Sequence, residues 1–193
     1  SRPARRARGA VRADAVLVMD ETQFWELIDS AREAADGDPE EQADVVVDRL
    51  LQLDPESVAD FARHFTVRFR RAWTWELWGA AGVLLAAPEG ADEESFDYFR
   101  CWLIAQGRSV FEGALADADS LAELLPDFDE EIDGDAGELG EAAEDAYEQL
   151  TGAPLPALGL PPEPEVPEGT PFPLDDEDEL ESRYPRLWER YGG

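Results

Sequence analysis

The sequence predicts an all-α protein, and two observations carry this prediction. Apolar residues recur three or four positions apart along most of residues 19–126, which is the period of a helix that buries one face. Proline and glycine interrupt this period at residues 36–39, 54–55 and 88–90, where one helix ends and another begins. No stretch alternates as a strand would, so we expect a compact bundle of about six helices.

Two helical segments precede the longest apolar period. The first lies within residues 20–35, with Thr22 as a candidate N-cap, and has an apolar face made of Phe24, Trp25, Leu27, Ile28 and Ala31. The second begins with Pro39, which suits the first turn of a helix, and continues to residue 53. Asp54 and Pro55 then provide a capping side chain and the first position of the next helix.

Residues 57–87 are the helical stretch around which we expect the fold to be organised. One face has an apolar residue at every fourth position: Phe61, Phe65, Phe69, Trp73 and Leu77. A second stripe, on another side of the same helix, contains His64, Arg68, Arg71, Trp75 and Trp78. Gly79 and Gly82 weaken the helix, and a kink or a short turn near residues 71–74 is left open.

Three further helical periods follow the break at residues 88–90. The first covers residues 96–106, and Gly107 stands where a helix C-cap is expected. The second covers residues 108–116. The third is short and ends at residue 125, before Pro126. These segments complete a predicted core domain over residues 19–126.

The chain beyond this core predicts an acidic, proline-rich C-terminal arm, residues 127–193. Residues 109–182 contain 24 acids and no basic residue, and seven prolines lie between residues 153 and 171. We expect one helix near residues 138–150 and otherwise extended chain. The aromatic end is expected to dock on the core, because a free tail would expose Tyr184, Leu187, Trp188 and Tyr191.

Composition limits the partners and the compartment. A net charge of −30 repels phosphate backbones and anionic lipid surfaces, so we expect neither nucleic acid nor membranes as partners. One cysteine, Cys101, fits a reducing compartment. The five arginines of residues 1–18 precede too short an apolar run for a signal peptide. We therefore expect a disordered extension there, a start at Met19 and a cytoplasmic protein.

Several motifs resemble one bacterial family. They are F-W-x-L-I-x-x-A-R at residues 24–32, W-T-W-E-L-W-G-A-A at 73–81, F-x-Y-F-R-x-W-L-I-x-x-G-R at 96–108 and Y-P-R-L-W at 184–188. They are similar to an uncharacterised, mainly actinobacterial domain-of-unknown-function family, number forty-two forty. The resemblance implies no catalytic residue. The chain departs from the family where P-E-G-A-D-E-E replaces a glycine-rich segment at residues 88–94.

The stripe of cations and tryptophans is the best candidate for a ligand site. His64, Arg68 and Arg71 together can clamp a carboxylate or phosphate, while Trp75 and Trp78 stack on an apolar group. The alternative is that the arginines pair with acids of neighbouring helices and the tryptophans fill the core. In so acidic a chain we favour the alternative.

The remaining candidates are Asp97, Arg100 and Arg108, within the longest family motif. Asp97 and Arg100 are three positions apart and suit a helical ion pair. Four acids at residues 92–97 suit the start of a helix better than a cation site, since their spacing fits no calcium loop. His64 alone is insufficient for zinc. We therefore expect no metal, no cofactor and no catalytic residue.

By elimination and by charge, we expect a non-catalytic intracellular module that binds or regulates another protein. The expected partner is a basic protein that meets the acids between residues 127 and 181. An acidic antagonist, such as an immunity-type protein, is one form of this function. The alternative is a small-molecule-binding protein or an enzyme that uses the pocket of His64, Arg68, Arg71 and the tryptophans.

Overall fold

A computed structural model describes residues 18–125, 128 and 136–192. These residues form ten α-helices and no strand, which confirms the all-α class. The helices are α1 Glu21–Ala34, α2 Pro39–Leu50, α3 Pro55–Arg71, α4 Trp75–Leu84, α5 Glu93–Ala105, α6 Arg108–Ala116, α7 Leu121–Leu124, α8 Gly137–Thr151, α9 Glu177–Arg183 and α10 Pro185–Tyr191. A 3-10 turn, Ala118–Ser120, precedes α7. Residues 1–17 and most of the acidic loop at 127–135 lie outside the described part.

The number of helices exceeds the expected six or so for local reasons. The predicted helix at 57–87 is divided into α3 and α4, and the aromatic end of the chain forms α9 and α10. The division falls at Thr74, whose backbone is extended and whose Oγ1 accepts the amide of Leu77 at 3.0 Å. Thr74 is thus the N-cap of a new helix.

Aspartate side chains cap the starts of five of the ten described helices. Asp38, Asp54 and Asp92 each accept the backbone amide three residues further on, at the beginnings of α2, α3 and α5. Pro39 and Pro55 occupy the first helical positions, as the sequence predicts. The first helix begins at Glu21, because Asp20 and Gln23 form a reciprocal capping box.

Helix α5 lies at the centre of the bundle and contacts α1, α3, α4, α6 and α8. Its fully buried side chains include Phe96, Phe99, Trp102 and Leu103. A helix covered on several sides needs apolar residues around most of its circumference, and the run from Phe99 to Ala105 has them. Among the described residues, no helix is long and apolar enough to cross a membrane.

The last two helices pack on α4, on the 3-10 turn and on α7. Tyr184 and Leu187 are fully buried. The carboxylate of Asp119, itself buried, accepts the amides of Arg186 at 3.2 Å and Leu187 at 3.0 Å. Asp119 therefore satisfies the free amides of the first turn of α10 from a position more than sixty residues earlier.

Two glycines of α4 give a matched test of this packing. A Cβ at Gly79 would lie 2.5 Å from Phe172 Cζ and 2.6 Å from the Tyr184 hydroxyl, whereas one at Gly82 would meet its nearest atom at 3.4 Å. We expect Gly79→Ala to lower the free energy of unfolding by about 1 kcal/mol, since overpacking exceeds the gain in helix propensity. Gly82→Ala should leave it unchanged or raise it by up to about 1 kcal/mol. Urea unfolding of both variants measures the difference, and equal effects would contradict the packing.

Candidate functional site

The cationic side of α3 contacts the start of α1. Arg68 is only 6% exposed, and its Nη2 lies 2.9 Å from Oε1 of Glu21. Its Nη1 donates to the carbonyl oxygen of His64 at 3.1 Å. Nε2 of His64 donates to the carbonyl oxygen of Met19 at 2.7 Å, which leaves Nδ1 facing Arg68. His64 and Arg68 thus connect α3 to the residues that lead into α1.

Three arginines and two glutamates form one ion-pair cluster between α1, α3 and α6: Glu21, Arg68, Arg71, Arg108 and Glu112. Arg71 binds Glu112 with two hydrogen bonds, of 2.9 and 3.1 Å, and Arg108 lies 3.5 Å from Glu21. The hydrogen bond from Arg68 holds the pKa of Glu21 below its ordinary value, and Arg71 does the same for Glu112. An anionic ligand would have to displace one of these carboxylates.

The two tryptophans of the predicted stripe do not continue this cluster, because the turn near residues 71–74 that the sequence left open is present. Because α3 ends at Arg71 and α4 begins at Trp75, the tryptophans belong to a different helix. Trp75 stacks on Trp78 at 5.4 Å, and Trp78 stacks on Phe96 of α5 at 5.1 Å. The indole nitrogen of Trp78 donates to the carbonyl oxygen of Ala91 at 2.7 Å. Trp78 therefore holds α4 against α5, and Trp75 packs on Trp78.

Asp97 and Arg100 form the helical ion pair that their spacing suggests, at 2.5 Å. Arg100 is 3% exposed, lies 3.7 Å above the ring of Phe69 and donates to the carbonyl oxygen of Phe69 at 3.0 Å. Beside this pair is a cavity of about 380 Å³, whose lining also includes Trp73, Glu93 and the segment 163–165. Four carboxylates line it, from Glu93, Asp97, Glu163 and Glu165.

The acids at residues 92–97 are divided among local roles. Asp92 caps α5, and the amide of Ser95 that it accepts lowers the pKa of its carboxyl. Glu94 accepts the hydroxyl of Tyr98 at 2.9 Å, and Asp97 binds Arg100. Within the described residues, no three His, Cys, Asp or Glu side chains form a group that could hold a metal ion.

A match to a family model covers the helices that carry these residues. Residues 19–149 match the model of a family described as "Protein of unknown function (DUF4240)". The chain belongs to the DUF4240 family. This confirms the resemblance that the motifs suggest. No curated protein and no solved structure matches the chain.

The DUF4240 match includes every candidate residue and ends within α8. Residues 150–192, which follow it, supply Glu163 and Glu165 to the cavity and Tyr184 to the core. Sequence reasoning missed these acids as cavity residues, because nothing local shows which part of a proline-rich stretch meets α5. It also missed Glu21 and Glu112 as partners of Arg68 and Arg71, since pairing between helices depends on how they pack.

Proposed function

We propose that this member of the DUF4240 family is a non-catalytic protein-binding module whose acidic face docks a basic partner. The acidic face consists of exposed acids on two helices, Glu40, Glu41, Asp44 and Asp48 of α2 and Glu141, Glu144, Asp145 and Glu148 of α8. These helices pack on each other, so the exposed acids of both lie on the surface of one helix pair. This is the observation that carries the proposal.

The negative charge of the acidic face is not balanced by arginines, because most of the described arginines pair with other acids. Ion pairs inside the fold occupy seven of the described arginines: Arg63, Arg68, Arg71, Arg100, Arg108, Arg183 and Arg186. No described arginine forms an ion pair with an acid of the acidic face. A surface of one sign without counter-charges attracts a partner of the opposite sign and accelerates its association at low salt.

The proposed partner is therefore a basic protein, and the chain acts on it as a regulator or as an acidic antagonist. Helix α8, which carries half of the acidic face, lies between residues 127 and 181, where the sequence predicts that the basic partner binds. The chain has one cysteine, Cys101, which is buried, and this fits the cytoplasm as the proposed site of action. The alternative of a small-molecule site has less support, because Arg68, Arg71 and Arg100 already bind carboxylates of the chain.

The test compares two variants of equal charge. The face variant carries Asp44→Asn, Glu141→Gln and Glu148→Gln. The control variant carries Asp175→Asn, Glu181→Gln and Glu189→Gln, which are exposed acids at or near α9 and α10. Both remove three negative charges, but the control changes residues at or near α9 and α10, which pack on α4 and α7, whereas the face variant changes α2 and α8. Immobilised wild type, face variant and control variant are each used to capture proteins from a cell lysate at low and moderate salt.

We expect a basic protein to bind the wild type and the control variant, and to bind the face variant about tenfold less, because exposed charges each contribute a few tenths of a kcal/mol. Moderate salt should weaken the wild-type complex. A captured protein that binds all three equally would contradict the proposed face. The proposed face would also be contradicted if no captured protein binds the control variant more strongly than the face variant.

A further inference from the structure

Residues 152–176, named here the extended segment, contain no helix and lie along α3 and the start of α4. Nε of Arg63 donates to the carbonyl oxygen of Leu158 at 2.9 Å, and Nη1 of Arg70 donates to that of Pro161 at 2.5 Å. Further on, Glu168 exchanges two backbone hydrogen bonds with Trp73 and Trp75, of 2.9 and 3.0 Å. The surface of α3 and residues 73–75 is thus a groove that binds extended backbone.

The two arginines bind carbonyl oxygens that lie three residues apart in the extended segment. Arg63 and Arg70 are seven positions apart on one face of α3, which is about 10.5 Å along a helix. Gly159, between Leu158 and Pro161, has a positive φ of 70°, so this stretch is not a regular turn of polyproline II. Prolines lack an amide donor, so a groove that recognises them must donate to carbonyl oxygens, as both arginines do here.

The extended segment occupies this groove imperfectly. It brings Glu163 and Glu165 to the cavity that Glu93 and Asp97 already line, and Arg100, the one cation there among the described residues, is paired with Asp97. Four carboxylates that line one cavity repel one another. The indole nitrogen of Trp73, which also lines the cavity, is buried and has no hydrogen-bond partner among the described residues.

Between residues 152 and 166 the segment is held by few side chains, whereas Phe172 further on is buried beside Gly79. Leu155 and Leu158 pack beside Phe61 and Phe65, whereas residues 161–166 are all exposed and Val166 is 70% exposed. A segment with few buried contacts separates from the fold at a lower free energy than a core helix does. The groove can therefore exchange residues 152–166 for another occupant.

We propose that the groove of Arg63, Phe69, Arg70 and residues 73–75 is a binding site for a proline-rich, basic segment of another polypeptide. The chain's own extended segment occupies the site as a weaker, intramolecular ligand. Lysine or arginine in place of Glu163 and Glu165 would pair with Glu93 and Asp97 and lie beside the ring of Trp73. This site is separate from the acidic face of α2 and α8, and its test needs no partner of that face.

The experiment uses the full chain and a fluorescent peptide of residues 153–171 with Glu163→Lys and Glu165→Lys. A release variant carries Leu155→Asp and Leu158→Asp, which place charges in the apolar contact of the segment and leave the groove intact. Val166→Asp is the matched control, because it adds a charge to an exposed position of the same segment. Fluorescence anisotropy measures the dissociation constants.

We expect the lysine peptide to bind the release variant at least about tenfold more tightly than the wild type or the control, since the tethered segment competes at an effective concentration near millimolar. The peptide with the native glutamates should bind more weakly than the lysine peptide. Adding Arg63→Gln and Arg70→Gln should abolish binding, and adding Glu93→Gln should reduce the preference for lysine.

Three outcomes would overturn the proposal: no binding to a release variant that keeps its helical circular dichroism, binding that persists without the two arginines, or equal binding of both peptides. If the release variant fails to fold, Glu168→Pro gives the same comparison, because it removes the amide that donates to Trp73, together with the Glu168 side chain, and changes no residue of the groove. A concentration-dependent dimer of the release variant, dissociated by the peptide, would support the site and identify a second copy as one source of the segment.

Discussion

Tyr184→Ala is expected to lower the free energy of unfolding by about 4 kcal/mol, as removal of a fully buried aromatic side chain does. Tyr184 is 1% exposed, and its ring lies against Gly79 of α4. Its hydroxyl donates to the carbonyl oxygen of Glu76 at 2.5 Å. Chemical denaturation with circular dichroism measures the loss. Tyr184→Phe, which keeps the ring and removes only this hydrogen bond, should cost about 1 kcal/mol.

Tyr184 also makes the stability of the fold depend on pH in the alkaline range. Burial, with the nearby carboxylate of Glu76, raises the pKa of the Tyr184 hydroxyl far above its ordinary value. The folded state thus favours the neutral phenol, so this stabilisation is complete below about pH 10, the ordinary pKa of tyrosine, and is lost as the pH rises toward the folded-state pKa. The stability advantage of the wild type over Tyr184→Phe should shrink above pH 10. A Tyr184→Ala variant as stable as the wild type would show that α10 does not pack on α4.

Arg100→Ala should have the second largest effect, a loss of about 3 kcal/mol. The substitution removes the donor to the carbonyl oxygen of Phe69, the cation above the Phe69 ring and the ion pair with Asp97. It also leaves a cavity beside α5. The physical reason for the large value is burial, because Arg100 is 3% exposed and water cannot replace these contacts.

Arg108→Ala is the matched control, since both arginines belong to the same family motif. The Arg108 side chain is 54% exposed and lies 3.5 Å from Glu21, so its loss should change the free energy of unfolding by no more than about 0.5 kcal/mol. Thermal and urea unfolding of the two variants separate the cases. Equal stability of Arg100→Ala and the wild type would mean that Arg100 is free to bind a ligand instead of supporting the fold.

The sequence predicts the elements that local chemistry defines. Pro39, Asp54 and Pro55 begin helices where their capping and backbone properties require. The family motifs likewise predict the DUF4240 match over residues 19–149. Asp97 and Arg100 pair because three positions on a helix bring their side chains together.

What the sequence does not predict depends on residues far apart in the chain. Helix α10 has seven residues, too few to be stable alone, and it is capped by Asp119 from the 3-10 turn. The extended segment has no periodicity, and the positions of Arg63 and Arg70 on α3 decide where it lies. For the same reason the cavity beside Arg100, half of whose carboxylates come from this segment, has no signature in the sequence.

Native-state hydrogen exchange on residues 152–192 is the most direct measurement, because the free acidic face and the occupied groove both depend on where these residues lie. We expect the amides of Tyr184 and Leu187 to exchange with protection close to that of α5, since both residues are buried and their amides are bonded. The amide of Glu168, bonded to Trp73, should show weaker protection that the Leu155→Asp and Leu158→Asp variant loses. Exchange of residues 152–192 at the rate of an unfolded chain, while α5 stays protected, would contradict the fold described for the C-terminal residues.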